Sequence, residues 1–514
     1  MSNTHTHSPP EIAPPQRVPE RRFWAGALGF LALIALATAG IVLRGSTVGI
    51  GAVATPNPGT TVSGRARIVL TFPTTMHTDS VESRLTVMPE TSVSTVSTGG
   101  AIRGHWSWEA NGVRSERVAQ FIPEAPLAPG GTYRVTFAPG ATATNGRAVT
   151  NAISYSFTVR LASLLFLRAD VNGKASTVGA VGAVGKVGEV GALQLWSADA
   201  DGGNARQITH ELESVQEFTP APDGSRIAYT TQAGPQTTAL WAINSDGSGR
   251  TRLSPAGDPS SYATPAWSPV GNVIVYVLRG VVPDGRGGVT LGTSKLWAVT
   301  PNGKALGRIY GRGDEVGFAP VWSSDGTHLA FREQVDAQNI SAIVLSDLSP
   351  DPVKVPAGPG NRIAWAPDGV HVAYDESIPA IGNAAATGGN RIVIVAADGS
   401  APRILGAADA SAPDWSPDGT QLVFASHTQR ADGTPTTDIA VIGVNTHGND
   451  GARRLLGGDG LTSADPVWSP DGQTVIATRF STQTGNDRGL WQVHSDGTAA
   501  RLIVSGGEHA VWVP

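Results

Sequence analysis

The chain contains no cysteine. That excludes disulfides, thiolate zinc sites, a cysteine nucleophile and a lipid anchor on an N-terminal cysteine. Charge is sparse as well: 37 basic and 42 acidic side chains in 514 residues leave a net −5. Without a basic field to attract phosphate backbones, nucleic acid is not an expected partner. Catalytic signatures are missing too, with no Gly-x-Ser-x-Gly elbow, no His-Glu-x-x-His zinc helix, no Gly-rich phosphate loop and no dinucleotide fingerprint. The sequence therefore offers no catalytic residue, no cofactor site and no metal site, and it argues against an enzyme.

Long apolar runs are nearly absent. The exception is Phe23 to Leu43, an uncharged stretch of 21 residues, long enough to cross a hydrocarbon core as a helix. Arg17, Arg21 and Arg22 precede it and only Arg44 follows closely, so the positive-inside bias predicts a cytoplasmic N-terminus. The expectation is a single-pass cell-membrane protein whose bulk lies outside, with a membrane partnership through residues 23–43. A cleaved signal peptide is the competing reading, because Ala37-Thr38-Ala39 offers a small-residue cleavage site. Residues 1–22 are rich in Pro, His, Ser and Thr and lack the apolar side chains for a core, so disorder is expected there.

What is abundant is glycine and proline, 63 and 36 residues, with 13 tryptophans. Many short strands joined by tight turns follow from that composition. Over residues 48–160 the apolar residues alternate in short runs, clearest in Arg67 to Phe72 and Thr132 to Phe137. Period two predicts an antiparallel sandwich. Phe72-Pro-Thr-Thr-Met76, Phe121-Ile-Pro123, Leu127-Ala-Pro129-Gly-Gly-Thr-Tyr133 and Tyr155-Ser-Phe157 resemble bacterial Ig-like domains of the S-layer (SbsA) type. The resemblance implies a spacer or adhesion module. Trp106 and Trp108 either form a surface carbohydrate platform or pack against the sandwich, and packing is the reading preferred. His77 and His105 have no partner at ligand spacing and read as surface residues.

From residue 161 onward a repeat takes over. Its tryptophans, 267, 322, 365, 415 and 468, head the segments Trp267-Ser-Pro-Val-Gly, Trp322-Ser-Ser-Asp-Gly, Trp365-Ala-Pro-Asp-Gly, Trp415-Ser-Pro-Asp-Gly and Trp468-Ser-Pro-Asp-Gly. A weaker copy, Phe218 to Gly224, lacks the tryptophan, whose place is assigned to Thr219. Spacings of this size match a propeller blade rather than a solenoid turn. Each motif is followed by alternating strands such as His328 to Phe331 and Leu240 to Asn244, making four per repeat. Trp is read as the wedge between blades, Pro as the end of strand pairing, and Asp-Gly as the turn. Asp223, Asp325, Asp368, Asp418 and Asp471 are accordingly read as turn stabilisers rather than a metal ring. The pattern resembles the TolB-type, WD-like propeller repeat over residues 161–514, departing from it at Val270, Ser324 and Ala366.

The chain ends Glu508-His-Ala-Val-Trp512-Val-Pro514, a truncated copy of the motif, while Ser163 to Arg168 begins strands with no motif before them. The C-terminal strand 508–514 is therefore expected to complete the first blade, because closure removes open edges. The resulting fold class is all-β: a seven-bladed β-propeller preceded by an Ig-like β-sandwich and one transmembrane helix. The Gly/Val stretch from Val171 to Ala192 reads as an extended hairpin loop. Asp199 to Asn204 faintly matches a calcium loop but falls where other blades have an Asp-Gly hairpin. His328 and His371 follow the turn in adjacent repeats and read as surface. Function is expected to be a membrane-anchored scaffold presenting the propeller to a protein or glycan partner of the cell envelope. Two alternatives stand beside it. One is a lyase-like carbohydrate enzyme, which requires His, Arg and acidic side chains to converge in the channel, and the other is a structural cell-wall or S-layer component.

Overall fold

The computed structural model describes residues 52–513 apart from 63, 65, 91–99, 111–112, 124–126, 170–190, 235, 271–272, 285–287, 311–315, 335–340, 349–350, 379–388, 407–408, 430–432, 445–450 and 482–487. Among the described residues no helix is long and apolar enough to cross a membrane, and the one α-helix there, Thr78–Glu82, has five residues. This overturns the expected single-pass placement in the cell membrane. Residues 1–22 and 23–43 lie outside the described residues, as does almost all of the expected hairpin loop from Val171 to Ala192.

Alternation builds the N-terminal part. Ile68 and Leu70 are fully buried while Val69 between them is half-buried, so the strand Ile68–Thr71 turns one face to a core. Two four-stranded sheets result. The first has the order Val53–Thr55, Ile68–Thr71, Val118–Pro123, Gly104–Ser107, and the second Thr61–Val62, Ile153–Val159, Thr132–Phe137, Leu85–Pro89. Phe72, Met76 and Phe137 fill one part of the space between them, Tyr133, Val135 and Phe157 another. Thr61–Val62 pairs parallel with Ile153–Val159, which departs from the all-antiparallel expectation. The chain there leaves the first sheet after Thr55 and joins the edge of the second a few residues later.

The described residues of 163–513 form seven four-stranded antiparallel sheets. Each of the second to seventh is a continuous stretch of chain whose first strand is, in order, Val215–Pro220, Ser261–Trp267, Val316–Trp322, Ile363–Trp365, Ala410–Trp415 and Thr462–Trp468. The first sheet is composite: Ser163–Ala169, Leu193–Asp199 and Arg206–Gln207 are joined by Gly507–Val513 from the other end of the chain. Ser163 lies opposite Val513 and Leu164 opposite Trp512.

The second strands explain how the sheets stack. In Ser163–Ala169 the four residues Leu164 to Leu167 are all buried, an unbroken run that only a strand covered on both faces can carry. Leu164 and Phe166 pack with Val467 and Ile476 of the seventh sheet, whereas Leu165 and Leu167 pack with Ile227 and Tyr229 of the second. Five further clusters join the second sheet to the third, and so on to the seventh. Each interface is therefore a core of its own, in which a fully buried Leu or Phe contributes about 1.5–3 kcal/mol relative to exposure. The sandwich touches this body where Arg67 Nη2 donates to the Asp325 carbonyl oxygen at 2.6 Å.

Candidate functional site

The recurrent motif residues are occupied with building. Asp418 Oδ1 accepts the Thr420 N–H at 3.0 Å and the Ser416 hydroxyl at 2.6 Å, and Asp471 and Asp325 repeat the arrangement. Asp223 and Asp368 likewise take turn N–H groups. Gly419, at φ +70°, occupies the left-handed conformation that such a turn needs. Tryptophans link neighbours: Trp322, Trp365 and Trp415 donate their indole N–H to the carbonyls of Ala266, Val321 and Ala364 in the preceding sheet, at 3.0 to 3.2 Å. In the copy without tryptophan, Pro220 lies opposite Ile227 as Trp267 lies opposite Ile274. The vacant place thus belongs to Pro220, one residue beyond the assigned Thr219, because the strand register counts from the following strand.

Other singled-out residues are similarly engaged. Trp106 meets Phe121 edge-on at 5.5 Å and stacks on Trp108, whose Nε1 donates to Glu82 at 2.7 Å. Asp199 accepts from Asn204 Nδ2 and Asp201 from the Gly203 N–H, so that stretch is a hairpin turn. His371 Nδ1 is 2.7 Å from Asp368 Oδ2, and His328 Nδ1 is 2.7 Å from Thr327 Oγ1. Both sit at turns between first and second strands. A surface hollow of about 500 Å³ between the first and second sheets is lined by Glu211, Trp241 and Arg250. Arg250 lies 3.4 Å over the Trp241 ring and grips both Glu211 oxygens at 2.6 Å, so these groups already satisfy one another.

A different position gathers chemistry. Three residues before each motif tryptophan, or its equivalent, stand His509, Glu217, Thr264, Ala319, Arg362, Ala412 and Asp465, taken from the first sheet to the seventh. In six of the seven first strands the pairing slips by a bulge at or next to this point. Five of these residues hold a left-handed backbone: Thr264 at φ 42°, Ala319 at 52°, Ala412 at 51°, Asp465 at 50° and His509 at 52°. For a β-branched threonine this conformation is strained, and strain of that kind collects at functional sites. The bulges re-aim the side chains.

The side chains meet across the enclosed space. Arg362 Nη1 is 3.6 Å from Asp465 Oδ1, although the fifth and seventh sheets are not neighbours. The other Asp465 oxygen is 3.0 Å from His509 Nδ1. Two sheets on, Glu217 Oε2 accepts the Thr264 N–H at 2.5 Å. An arc of Arg, Asp, His, Glu and Thr thus runs round the channel, with Ala319 and Ala412 leaving space between. It is reached by solvent, since the side chain of His509 is 58% exposed and that of Arg362 37%.

Burial raises both carboxyl groups, and only one of them has partners enough to reverse it. It pushes the Glu217 carboxyl above the usual range, only partly offset by the Thr264 N–H and the His509 charge. Burial acts on Asp465 in the same sense, but the His509 hydrogen bond and the charges of His509 and Arg362 outweigh it and hold that carboxyl below the usual range.

Second strands fix the arc from behind. Asp375 Oδ1 accepts the N–H groups of Asn361 and Arg362 at 2.8 and 2.9 Å, and its Oδ2 accepts that of Ala412 at 3.0 Å. Fully buried Arg332 supports Asp375 at 3.0 Å. Thr478 Oγ1 accepts the His509 N–H at 3.1 Å. The left-handed N–H groups of Thr264, Ala412 and His509 are each satisfied by a side chain from the preceding sheet.

Sequence reasoning found none of these residues. The available signal was the column three places before the tryptophan, where charge replaces the apolar residue expected of an inner strand.

Residues 52–159 match the family model for the bacterial Ig-like domain. That agrees with the Ig-like expectation at the level of the domain, without its S-layer subtype. No curated protein matches the chain. Among solved structures, TolB from Acinetobacter baumannii is similar at 12% identity and TM-score 0.36, over 76% of this chain and 80% of that one. The β-propeller domain of the Trilobed protease from Pyrococcus furiosus matches at 10% identity and TM-score 0.42, over 61% and 90%. An oligogalacturonate lyase in complex with manganese matches at 14% identity and TM-score 0.45, over 65% and 92%.

Proposed function

We propose that this chain is a binding protein in which a seven-bladed propeller presents its channel to a protein or glycan partner, the Ig-like sandwich acting as a spacer. One observation carries the reading: the arc from Arg362 through Asp465 and His509 to Glu217 and Thr264, set on strained inner strands and open to solvent. Rigid sheets hold these groups, so binding needs little reordering. The test is a glycan and protein array probed with the full chain and with Ala412→Arg, whose long side chain fills the gap in the arc. Signals lost in a variant that melts within a few degrees of the wild type support the channel. Undiminished signals, or none from the wild type, overturn it.

One observation favours a second reading. Asp465 orients His509 beside Arg362, the carboxylate–imidazole arrangement of a general base next to a cation able to neutralise a sugar carboxylate. A lyase of this kind would release unsaturated uronide ends from an acidic polysaccharide, visible by ultraviolet absorbance. No release across a panel of such polymers removes this reading.

A further inference from the structure

The two carboxylates of the arc differ in what they still need. Asp465 is paired on both oxygens, with Arg362 near one and His509 on the other. Glu217 is not: its Oε2 takes the Thr264 N–H, and among the described residues no Lys, Arg or His nitrogen stands at ion-pair distance from it. The His509 charge acts on it without pairing, and burial resists its ionisation. Beside it Thr264 Oγ1 is buried and has no hydrogen-bond partner. A carboxylate with no ion-pair partner and a buried hydroxyl with no hydrogen-bond partner therefore belong to one corner of the arc. Leaving such groups unpaired is costly, and a ligand supplying donors to both recovers that cost.

A primary ammonium has the right form, being a compact cation with three N–H groups that can divide between Glu217 and Thr264. We propose that this corner of the channel receives the ammonium of an amino sugar in a glycan that is at least partly deacetylated. The proposal rests on the channel being the binding site. A sugar suits the surroundings better than a lysine side chain does. On a sugar, hydroxyls flank the amine, and the imidazole of His509 and the guanidinium of Arg362 stand on the same arc to meet them. Lysine brings four methylenes, and at this level the arc offers charged groups and two alanine methyls rather than an apolar sheath. The chain's net −5 also favours approach of a polycationic glycan.

Calorimetric titration of the full chain with a β-1,4 glucosamine tetramer, its N-acetylated counterpart and a pentalysine peptide tests this. The glucosamine tetramer is expected to bind, and acetylation, which removes the charge and two N–H donors, to weaken binding about tenfold or more. Glu217→Gln, which keeps an acceptor for the Thr264 N–H, should weaken it by about the same factor without lowering Tm. Thr264→Val, similar in shape and equally β-branched, should weaken it by a smaller factor. The proposal is overturned if the acetylated tetramer or Glu217→Gln binds as tightly, if pentalysine binds more tightly, or if the glucosamine tetramer does not bind. Array signals that Ala412→Arg abolishes would in that last case leave the channel as the site and remove only the amino sugar.

Discussion

At the scale of single residues, the channel shows one backbone position used for opposite electrostatic ends. Asp465 and Glu217 occupy equivalent places in the seventh and second sheets, yet their carboxyl groups are displaced in opposite directions. The sign of each contribution to stability follows. Asp465, held low, stabilises the fold above the ordinary carboxylate range, and that contribution disappears as pH falls through its lowered folded value. Glu217, held high, carries no penalty in acid, and the penalty grows as pH rises through its raised folded value. Asp465→Asn should therefore lower Tm at pH 7, by the equivalent of about 1–2 kcal/mol for a partly exposed charge-assisted bond, with the difference shrinking in acid. Glu217→Gln should raise Tm at pH 7 and match the wild type in acid. Melting curves of both variants from pH 3 to 8 check the two signs. A Glu217→Gln chain less stable than wild type at pH 7 would mean that the carboxylate is held by partners other than those described.

At the scale of the element, the repeated tryptophan is both a wedge and a link. Trp415 is 7% exposed, packs in the cluster joining the fifth and sixth sheets, and donates to the Ala364 carbonyl at 3.1 Å. Its two roles separate by substitution. Trp415→Phe keeps most of the apolar contact and leaves the carbonyl unpaired, for an expected loss of about 1 kcal/mol. Trp415→Ala opens a cavity between two sheets, for an expected loss of about 3–5 kcal/mol. Urea denaturation of both measures the ratio, and equal losses would show that the hydrogen bond, not the packing, dominates.

At the scale of the whole molecule, every sheet interface is an apolar core between neighbours, and the first sheet depends on the last strand of the chain. Gly507–Val513 covers the edge of Ser163–Ala169, places Ala510 in the interface with the seventh sheet and Val513 in that with the second, and is tied by the Arg488–Glu508 ion pair. Removing residues 507–514 strips the pairing partners from one edge of Ser163–Ala169, leaving those of Leu193–Asp199 on the other, and removes His509 from the channel arc. The expected outcome is a Tm lower by several degrees and self-association through the bared edge, read by calorimetry and light scattering. A monodisperse variant of unchanged Tm would show that the strand is dispensable.

Sequence alone determined what is local or repeated. The strands of 161–514 were legible because short apolar runs recur between tight turns, many of them Asp-Gly, that close on themselves within a few residues. The sandwich was legible in Ile68 to Phe72 and Thr132 to Phe137 for the same reason. The channel site was not, because its groups come from strands separated by up to nearly three hundred residues, from Glu217 to His509. Nothing in the chemistry of any one repeat announces that its third residue before the tryptophan will meet those of other repeats. Bending the chain into a ring brings them together, and the bulges that turn them inward arise from pairing between strands. The motif residues, conspicuous in sequence, spend their hydrogen bonds on turns and neighbouring sheets. Only the tertiary structure could show that Asp465 already has a basic partner on each oxygen while Glu217 has none at ion-pair distance among the described residues.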